Sequence, residues 1–181
     1  LPKVIYHNES YDITTTRASI PMYLLTKYIS ENTNIKVIFS GEGSDELLAG
    51  YLYFHYAPSY KNLQDETHRL LSELYRTDVL RADRMISCWG LEGRFPFLDA
   101  DLTNFVTGLD PSHKMPQKFK VEKYLLRSAF EGFLPDEILW RQKMAFSDGI
   151  STDSVKALKE YAKNNTTFHT DEYVEGKAIP N

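Results

Sequence analysis

The sequence is poor in cysteine, and this shortage excludes several classes of protein. Cys88 is the only cysteine among 181 residues, so an internal disulfide and a multi-cysteine metal site are both excluded. Its neighbours in RMISCWG are largely apolar, which indicates a buried, unreactive thiol rather than a nucleophile. A lone cysteine also fits a reducing compartment, and we therefore expect a cytoplasmic protein.

The sequence also lacks a basic excess and long apolar runs. Lys and Arg number 21 against 25 Asp and Glu, a formal net charge of −4, whereas a dedicated nucleic-acid surface normally carries surplus positive charge. No apolar run approaches the length that crosses a bilayer. Hydrophobic residues make up 42% and charged residues 25%, proportions typical of a globular domain. We expect neither a nucleic-acid partner nor membrane association.

The apolar residues that are present predict an α/β fold. Hydroxyl-rich TTTRAS leads into a helix that ends near Asn32, and because Pro21 fits only a first turn, we place the start of this helix near Ser19. IKVIFS then has the profile of a short strand buried on both faces, as in a parallel sheet. A glycine turn and another helix follow, so the order is helix, strand, turn and helix.

The rest of the chain is predicted to be mostly helical. The segment after Pro58 has helical spacing, with a break near Thr77 and a cap at Gly90. LEGRFPFLD is predicted to be an extended turn, because Pro96 keeps the residue before it out of helical geometry. Further helices are predicted in DADLTNFVTGL, KVEKYLLRSAFEGF and LPDEILWR. Residues after Ser151 are polar and weakly patterned, and KNNTTFHTDE is predicted to be a loop.

The stretch FSGEGSDE, which ends at Glu46, is the first candidate for a functional site. Its glycines let the backbone approach a ligand closely, and ligands of open α/β sheets bind at the carboxyl ends of strands. Its carboxylates could act as a general base or hold Mg²⁺. A helix start explains the same residues, with Ser44 as the cap and Asp45 and Glu46 complementing the helix dipole. Taken alone, the stretch favours this structural explanation, since it matches neither the P-loop nor the dinucleotide-binding pattern.

Two later segments place charged groups in apolar surroundings. WRQKMAFSDG carries Lys143 before a Ser-Asp-Gly turn, where a lysine can neutralise a leaving phosphate, although a lone lysine is more often solvated. The other segment is LRADRMISCWGLEGRFPFLD, whose charged residues we interpret mainly as a salt-bridged scaffold. They are Arg81, Asp83, Arg84, Glu92, Arg94 and Asp99.

Five stretches of the chain resemble, in order and spacing, the synthetase domain of glutamine-dependent asparagine synthetases. They are RASIPMYL, VIFSGEGSDELLAGYLYFHYAP, LRADR, GLEGRFPFLD and RQKMAFSDG. The resemblance extends from Val4 to Ile150. It implies an α/β fold of the adenine-nucleotide α-hydrolase type, the PP-loop ATP pyrophosphatases, with a parallel sheet and a mostly helical portion here. Residues 1–150 would form the carboxyl-terminal portion of the ATP-dependent synthetase domain, and residues 151–181 a weakly patterned polar tail.

The resemblance also implies an activity and its partners. Members of the family adenylate aspartate with ATP and then transfer ammonia to give asparagine, AMP and pyrophosphate. The implied cofactors are ATP and Mg²⁺, and an N-terminal glutaminase domain releases the ammonia from glutamine. The family's Ser-Gly-Gly-x-Asp-Ser pyrophosphate loop does not occur in this sequence. We therefore expect a segment of a longer protein, inactive by itself, and the resemblance is compatible with a homodimer.

Individual residues take roles from the same resemblance. Glu42 and Lys143 match the catalytic residues: the glutamate takes part in forming the intermediate and deprotonates ammonia, and the lysine stabilises charge on the α-phosphate and the departing pyrophosphate. Asp45 matches a carboxylate that holds Mg²⁺ on the pyrophosphate. The positions that match contacts to ATP or pyrophosphate, besides Lys143, are Ser40, Gly41, Thr14 and Arg17.

Two alternatives stay open at this point. A related carboxylate-adenylating enzyme, such as a β-lactam synthetase-like protein, would share the adenylation and differ in its substrate. A non-catalytic module could also retain the fold, although the presence of Glu42, Asp45 and Lys143 disfavours such a loss of function.

Overall fold

The computed structural model describes residues 1–144 and 152–165, which form a mainly helical arrangement around a small parallel sheet. Single 3₁₀ turns lie at Leu52–Tyr56, Leu74–Arg76, Pro96–Leu98 and Pro111–His113. The α-helices and strands, in chain order, are α1 (Pro2–Asn8), α2 (Ile13–Asn32), β1 (Val37–Phe39), α3 (Ser44–Leu47), α4 (Tyr60–Glu73), α5 (Asp78–Ser87), β2 (Glu92–Arg94), α6 (Ala100–Gly108), α7 (Pro116–Phe119), α8 (Tyr124–Ala129), α9 (Asp136–Leu139) and α10 (Thr152–Asn165).

Helix α2 begins earlier than predicted. The carboxylate of Asp12 caps it by accepting from the Thr15 N–H at 2.6 Å, and Pro21 lies inside the helix rather than in its first turn. An interior proline costs a helix about 3 kcal/mol, but α2 packs along α5. The hydroxyl of Thr26 donates to the main-chain oxygen of Met85 at 2.7 Å across that contact. Capping and tertiary packing therefore outweigh the local effect of the proline, and the predicted start near Ser19 was wrong.

The two strands pair in parallel, with Val37 opposite Glu92 and Phe39 opposite Arg94. The predicted strand and its parallel pairing are confirmed, but β2 lies where an extended turn was predicted. The predicted burial of β1 on both faces was also wrong, because Val37 and Phe39 are exposed, the latter by 75%. Within the described residues β1 pairs only with β2, so these two side chains are left uncovered while Ile38 is half-buried.

The later helices agree with the sequence in part. The break near Thr77 is confirmed. The predicted cap at Gly90 was wrong, because α5 ends at Ser87 with Cys88 as its cap, and Gly90 follows two residues later in a left-handed conformation with φ of 68°. The helix predicted in DADLTNFVTGL is confirmed as α6, which Asp99 caps, and α9 begins directly after Pro135. The helix predicted in KVEKYLLRSAFEGF is shorter than expected, because Lys123 takes a left-handed conformation and α8 begins only after it.

After Ser151 the chain is more helical than its composition indicated. Helix α10 includes the first three residues of the predicted loop KNNTTFHTDE, and the remaining residues of that stretch lie outside the described residues. Within residues 1–144 and 152–165, no helix has both the length and the apolar character of a membrane span. The α/β class is thus confirmed at the level of a mainly helical chain with a small parallel sheet.

Candidate active site

The turn between β1 and α3 requires glycine for a steric reason. The Ser40 N–H donates to the Arg94 carbonyl at 2.9 Å and so continues the β1–β2 pairing into the turn. Gly43 then adopts φ of 88°, and a Cβ atom there would lie 2.3 Å from a methyl carbon of Leu98. Helix α3 starts immediately afterwards. Its cap position is Gly43 without a side-chain hydrogen bond, so the prediction that Ser44 caps the helix was wrong.

A cleft of about 510 Å³ opens beside this turn, between α2, the end of β1 and the start of α5. All predicted site residues except Arg17 line it, and Arg17 lies on α2, one helical turn after the lining residue Thr14. Part of its lining is apolar and includes Met22, Leu25 and Ile86. The predicted residues that the structure brings to this cleft are Thr14, Ser40, Gly41, Glu42, Asp45 and Lys143.

Glu42 is held by a buried arginine. Its Oε1 accepts from Nη2 of Arg81 at 2.8 Å, and Nη1 of the same arginine lies 2.7 Å from Oδ1 of Asp78. Burial raises the pKa of Glu42, although the adjacent guanidinium favours the ionised form. The prediction of a salt-bridged Arg81 is therefore confirmed, and its partner proves to be the candidate base itself. The pairing of Arg81 with Glu42 could not be predicted from the sequence, because the two residues are 39 positions apart.

Glu46, four residues later, has a different environment. It is only 3% exposed, and the hydroxyl of Tyr51 donates to its carboxylate and also lies 3.2 Å from Oδ2 of Asp78. Burial raises the pKa of both Glu46 and Tyr51. This glutamate is therefore a buried structural partner of the tyrosine, and it is not equivalent to Glu42.

Asp45, the third acid of the turn, faces two lysines. Its Oδ1 accepts from Nζ of Lys143 at 2.7 Å and lies 3.1 Å from Nζ of Lys123, which also donates to the hydroxyl of Ser44 at 2.9 Å. Burial lowers the pKa of Lys123. From the sequence this second lysine was predicted to lie inside a helix and had no assigned role. It is one of three charged residues in KVEKYLL, and no local signal distinguishes it from the other two.

Gly50 has no side chain, and this allows Asp45 and Lys123 to approach each other. A Cβ atom on Gly50 would lie 2.1 Å from Oδ1 of Asp45 and 2.4 Å from Cε of Lys123. It would also lie 2.8 Å from Cα of Asp45, so a side chain at this position would displace both charged groups and strain the backbone of the turn. Gly50 is thus a further residue of the candidate site that no motif in the sequence indicated.

A second groove lies along the exposed side of the sheet. It has a volume of about 870 Å³ and is lined mainly by apolar side chains such as Phe39, Phe95 and Leu98, with Arg94 and Asp99 as its charged members. None of the predicted site residues lines it. Buried ionisable groups converge on the smaller cleft instead, and such groups mark the better candidate for a functional site.

The fold and the cleft define an α/β protein whose candidate site combines carboxylates, an arginine and two lysines at the carboxyl end of a parallel strand. A family model described as "Asparagine synthase" matches residues 1–65 and 57–175. Because these ranges cover well over half of the chain, the chain belongs to the asparagine synthase family.

Curated relatives agree with this assignment. The chain is 53% identical over 169 residues to a human protein named asparagine synthetase, glutamine-hydrolyzing; the match covers 91% of this chain and 30% of the relative. Identity is 56% over 154 residues to the rat protein of the same name, covering 84% and 27%. For the chicken protein it is 57% over 152 residues, covering 83% and 27%. The chain thus spans less than a third of the length of these relatives.

Proposed function

We propose that the intact protein is an ATP-dependent, glutamine-hydrolysing asparagine synthetase. The observation that carries this proposal is the convergence of Glu42, Asp45 and Lys143 on one cleft at the carboxyl end of β1. In the proposed reaction, a side-chain carboxylate oxygen of aspartate attacks the α-phosphorus of ATP, and the bond to pyrophosphate breaks. Ammonia then attacks the acyl carbon of the adenylate, AMP leaves, and asparagine remains.

Glu42 is proposed as the base of the second step. Ammonia that has attacked the acyl carbon must lose a proton, and an ionised carboxylate at the cleft can accept it. The guanidinium of Arg81 fixes the carboxylate from one side and favours its ionised form against the effect of burial. A positioned base beside a fixed cation suits this step, because both groups need little reorganisation during the reaction.

The two lysines are proposed to face the phosphates. In the structure Lys143 and Lys123 share one oxygen of Asp45, so their charges are already gathered at one point of the cleft. Phosphate oxygens would take over as partners of both ammonium groups and stabilise the charge that develops as pyrophosphate departs. Ser40, Gly41, Thr14 and Arg17 are proposed to complete the contacts to ATP and pyrophosphate.

Asp45 is proposed to hold Mg²⁺ on the pyrophosphate, as the family resemblance implies, once phosphate oxygens have drawn the two lysines away from it. Mg²⁺ is usually bound by one or two carboxylates together with substrate phosphates. No group of three or more His, Cys, Asp or Glu side chains in residues 1–144 and 152–165 could hold a metal, so an ion at Asp45 would share its ligands with ATP. When bound, Mg²⁺ would neutralise part of the phosphate charge.

The wider assignments belong to the same proposal. They are the PP-loop fold for residues 1–150, a polar tail at 151–181, an N-terminal glutaminase domain, a pyrophosphate loop supplied by another segment, a homodimer and a cytoplasmic location. The names of the relatives support the glutaminase domain, and the lone Cys88 is the reason for the compartment.

The test of this proposal is the ratio in which the reaction products form. The intact protein is supplied with aspartate, ATP, Mg²⁺ and either glutamine or ammonium, and asparagine, AMP and pyrophosphate are quantified. We expect equal amounts of the three products, and no AMP without aspartate. AMP formed with a bulkier carboxylate but not with aspartate would favour the β-lactam synthetase-like alternative, which the names of the relatives do not favour. No nucleotide turnover with any carboxylate would contradict the proposal.

A further inference from the structure

The second lysine that contacts Asp45 has an unusual backbone conformation. Lys123 has φ of 53° and precedes α8, and Lys120, three residues earlier, has φ of 59°. Residues with a side chain rarely adopt this left-handed conformation, so contacts around the segment must hold it. Lys123 reaches the Asp45 carboxylate from this position, and the support of the 120–123 segment therefore decides where its ammonium group lies.

The support comes from the residue directly before it. Glu122 is only 5% exposed, and its Oε1 lies 2.6 Å from Nε2 of His55. Because a carboxylate can only accept, the imidazole N–H is the donor. The main-chain oxygen of Glu122 accepts in turn from Nε of Arg127 at 2.8 Å. The backbone immediately before Lys123 is therefore fixed through both the side chain and the carbonyl of one residue.

His55 is itself held in place next to the candidate site. It lies in the 3₁₀ turn Leu52–Tyr56, which directly follows the site residue Tyr51. The amide of Gln117, on α7, donates to the carbonyls of His55 and Ala57, the latter at 3.0 Å. The 3₁₀ turn thus connects the 120–123 segment with the part of the chain that carries the buried Glu46–Tyr51 pair.

We propose that the hydrogen bond between His55 and Glu122 is a latch that keeps Lys123 on the phosphate side of the cleft. Neither residue lines the cleft, so both are positioning residues that act through Lys123. This inference rests on the proposed function only in the statement that the lysine meets the phosphates of ATP. The placement of the lysine by the latch is a separate claim and can be tested separately.

The first experiment measures aspartate-dependent pyrophosphate release by the intact protein. His55→Leu removes the donor and should raise KM for ATP about tenfold, within the range seen for coupled contacting residues, with a smaller change in kcat. His55→Gln keeps an N–H donor and should stay within about twofold of wild type. The matched control is Tyr53→Phe, which removes a hydrogen bond of 2.8 Å to Glu66 from the same 3₁₀ turn and should change neither parameter.

The decisive comparison uses a Lys123→Met background. If the latch acts through this lysine, His55→Leu should add less than about twofold to the KM of Lys123→Met. An undiminished tenfold effect in that background, or a His55→Gln variant as impaired as His55→Leu, would overturn the proposal.

A second measurement does not depend on the activity. Under native conditions an amine-acylating reagent should modify Lys123 slowly in wild type, because its side chain is 18% exposed and ion-paired. In His55→Leu the rate should rise at least about threefold, a change of the size expected for a lost coupling contact. Buried Lys114, 3% exposed, reports whether the variant is folded, since it should remain unmodified.

The two claims can fail independently. If the intact protein forms no asparagine, the proposed function fails and the labelling of Lys123 still decides the latch. If His55→Leu does not fold, Glu122→Met removes the acceptor of the hydrogen bond and keeps a side chain of similar length, and at least twofold faster labelling of Lys123 than in wild type is expected. Labelling rates equal to wild type in the folded latch variants would overturn the latch whether or not the enzyme is active.

Discussion

Replacing Glu42 with glutamine should lower the reaction rate strongly and the stability of the fold only slightly. Glutamine keeps the shape and can still accept from Arg81, which also retains its 2.7 Å contact with Asp78. The stability loss should therefore be about 1 kcal/mol, the difference between a charge-assisted and a neutral hydrogen bond. Loss of a positioned base costs a factor of about 10² to 10⁴ in rate, or about 2.7 to 5.5 kcal/mol. Activity should consequently collapse in a protein that remains folded.

The assay is ammonia-dependent asparagine formation by the intact protein, with thermal unfolding as the check on folding. Burial raises the pKa of Glu42 above 4.5, and a base works only when deprotonated. The acidic limb of kcat/KM in wild type should therefore lie above pH 4.5 and should be absent in Glu42→Gln. The control is Glu92→Gln, since Glu92 is also paired with an arginine but is 59% exposed and outside the cleft. Glu42→Gln activity within twofold of wild type would refute the assignment of the base.

Three further variants test other parts of the site. Lys143→Met removes the closer of the two cations on Asp45 and should lower kcat by about 10² to 10³, as loss of one electrostatic stabiliser does. Gly50→Ala places a Cβ atom 2.1 Å from Oδ1 of Asp45 and should cost about 1 to 3 kcal/mol of unfolding free energy through overpacking, measured by denaturant titration. Burial raises the pKa of Glu46 above 4.5, so its protonated form favours the native state, and wild-type stability is lost as pH rises from 4.5 through the folded pKa. Glu46→Gln should show a smaller decline over that window, by about 1.4 kcal/mol for each pH unit that separates the folded and unfolded pKa values of the carboxyl.

Each of these variants has a result that would count against the structure. Wild-type kcat in Lys143→Met would remove the lysine from the chemistry. Gly108→Ala, where an added Cβ meets no atom within 4 Å, is the control for Gly50→Ala, and equal stability losses in the two would contradict the close approach at Gly50. A pH dependence of stability in Glu46→Gln that equals wild type would show that this carboxyl does not titrate with a raised pKa.

Residue types within a few positions of each other were enough to predict strand β1 and the turn that follows it. Strand β1 and the glycine turn after it were identified because β-branched residues and glycines act within a few positions. The start of α2 was missed because the rule for Pro21 was given more weight than the cap at Asp12, which is equally local. The packing of α2 against α5, which offsets the proline, is a long-range effect that the segment itself does not reveal. Strand β2, Glu92–Arg94, has no strand pattern of its own and forms by pairing with β1, which a single segment cannot reveal.

The candidate site was predictable to the extent that its residues lie in recognisable motifs. Glu42, Asp45 and Lys143 were identified through the family resemblance, and the structure brings them to one cleft; their roles stay predictions. The pairings of Glu42 with Arg81 and of Lys123 with Ser44 span 39 and 79 positions. Because such contacts depend on how distant segments meet, charge and spacing in the sequence alone could not assign them.

The most direct test of the central claim follows the aspartate oxygens. Aspartate labelled with oxygen-18 in its side-chain carboxylate is turned over by the intact protein with ATP, Mg²⁺ and ammonium, and the products are analysed by mass spectrometry. An adenylated aspartate predicts that a labelled oxygen appears in AMP, because the bond broken by ammonia lies between the acyl carbon and that oxygen. Unlabelled AMP, or label transferred to inorganic phosphate with release of ADP, would contradict the account.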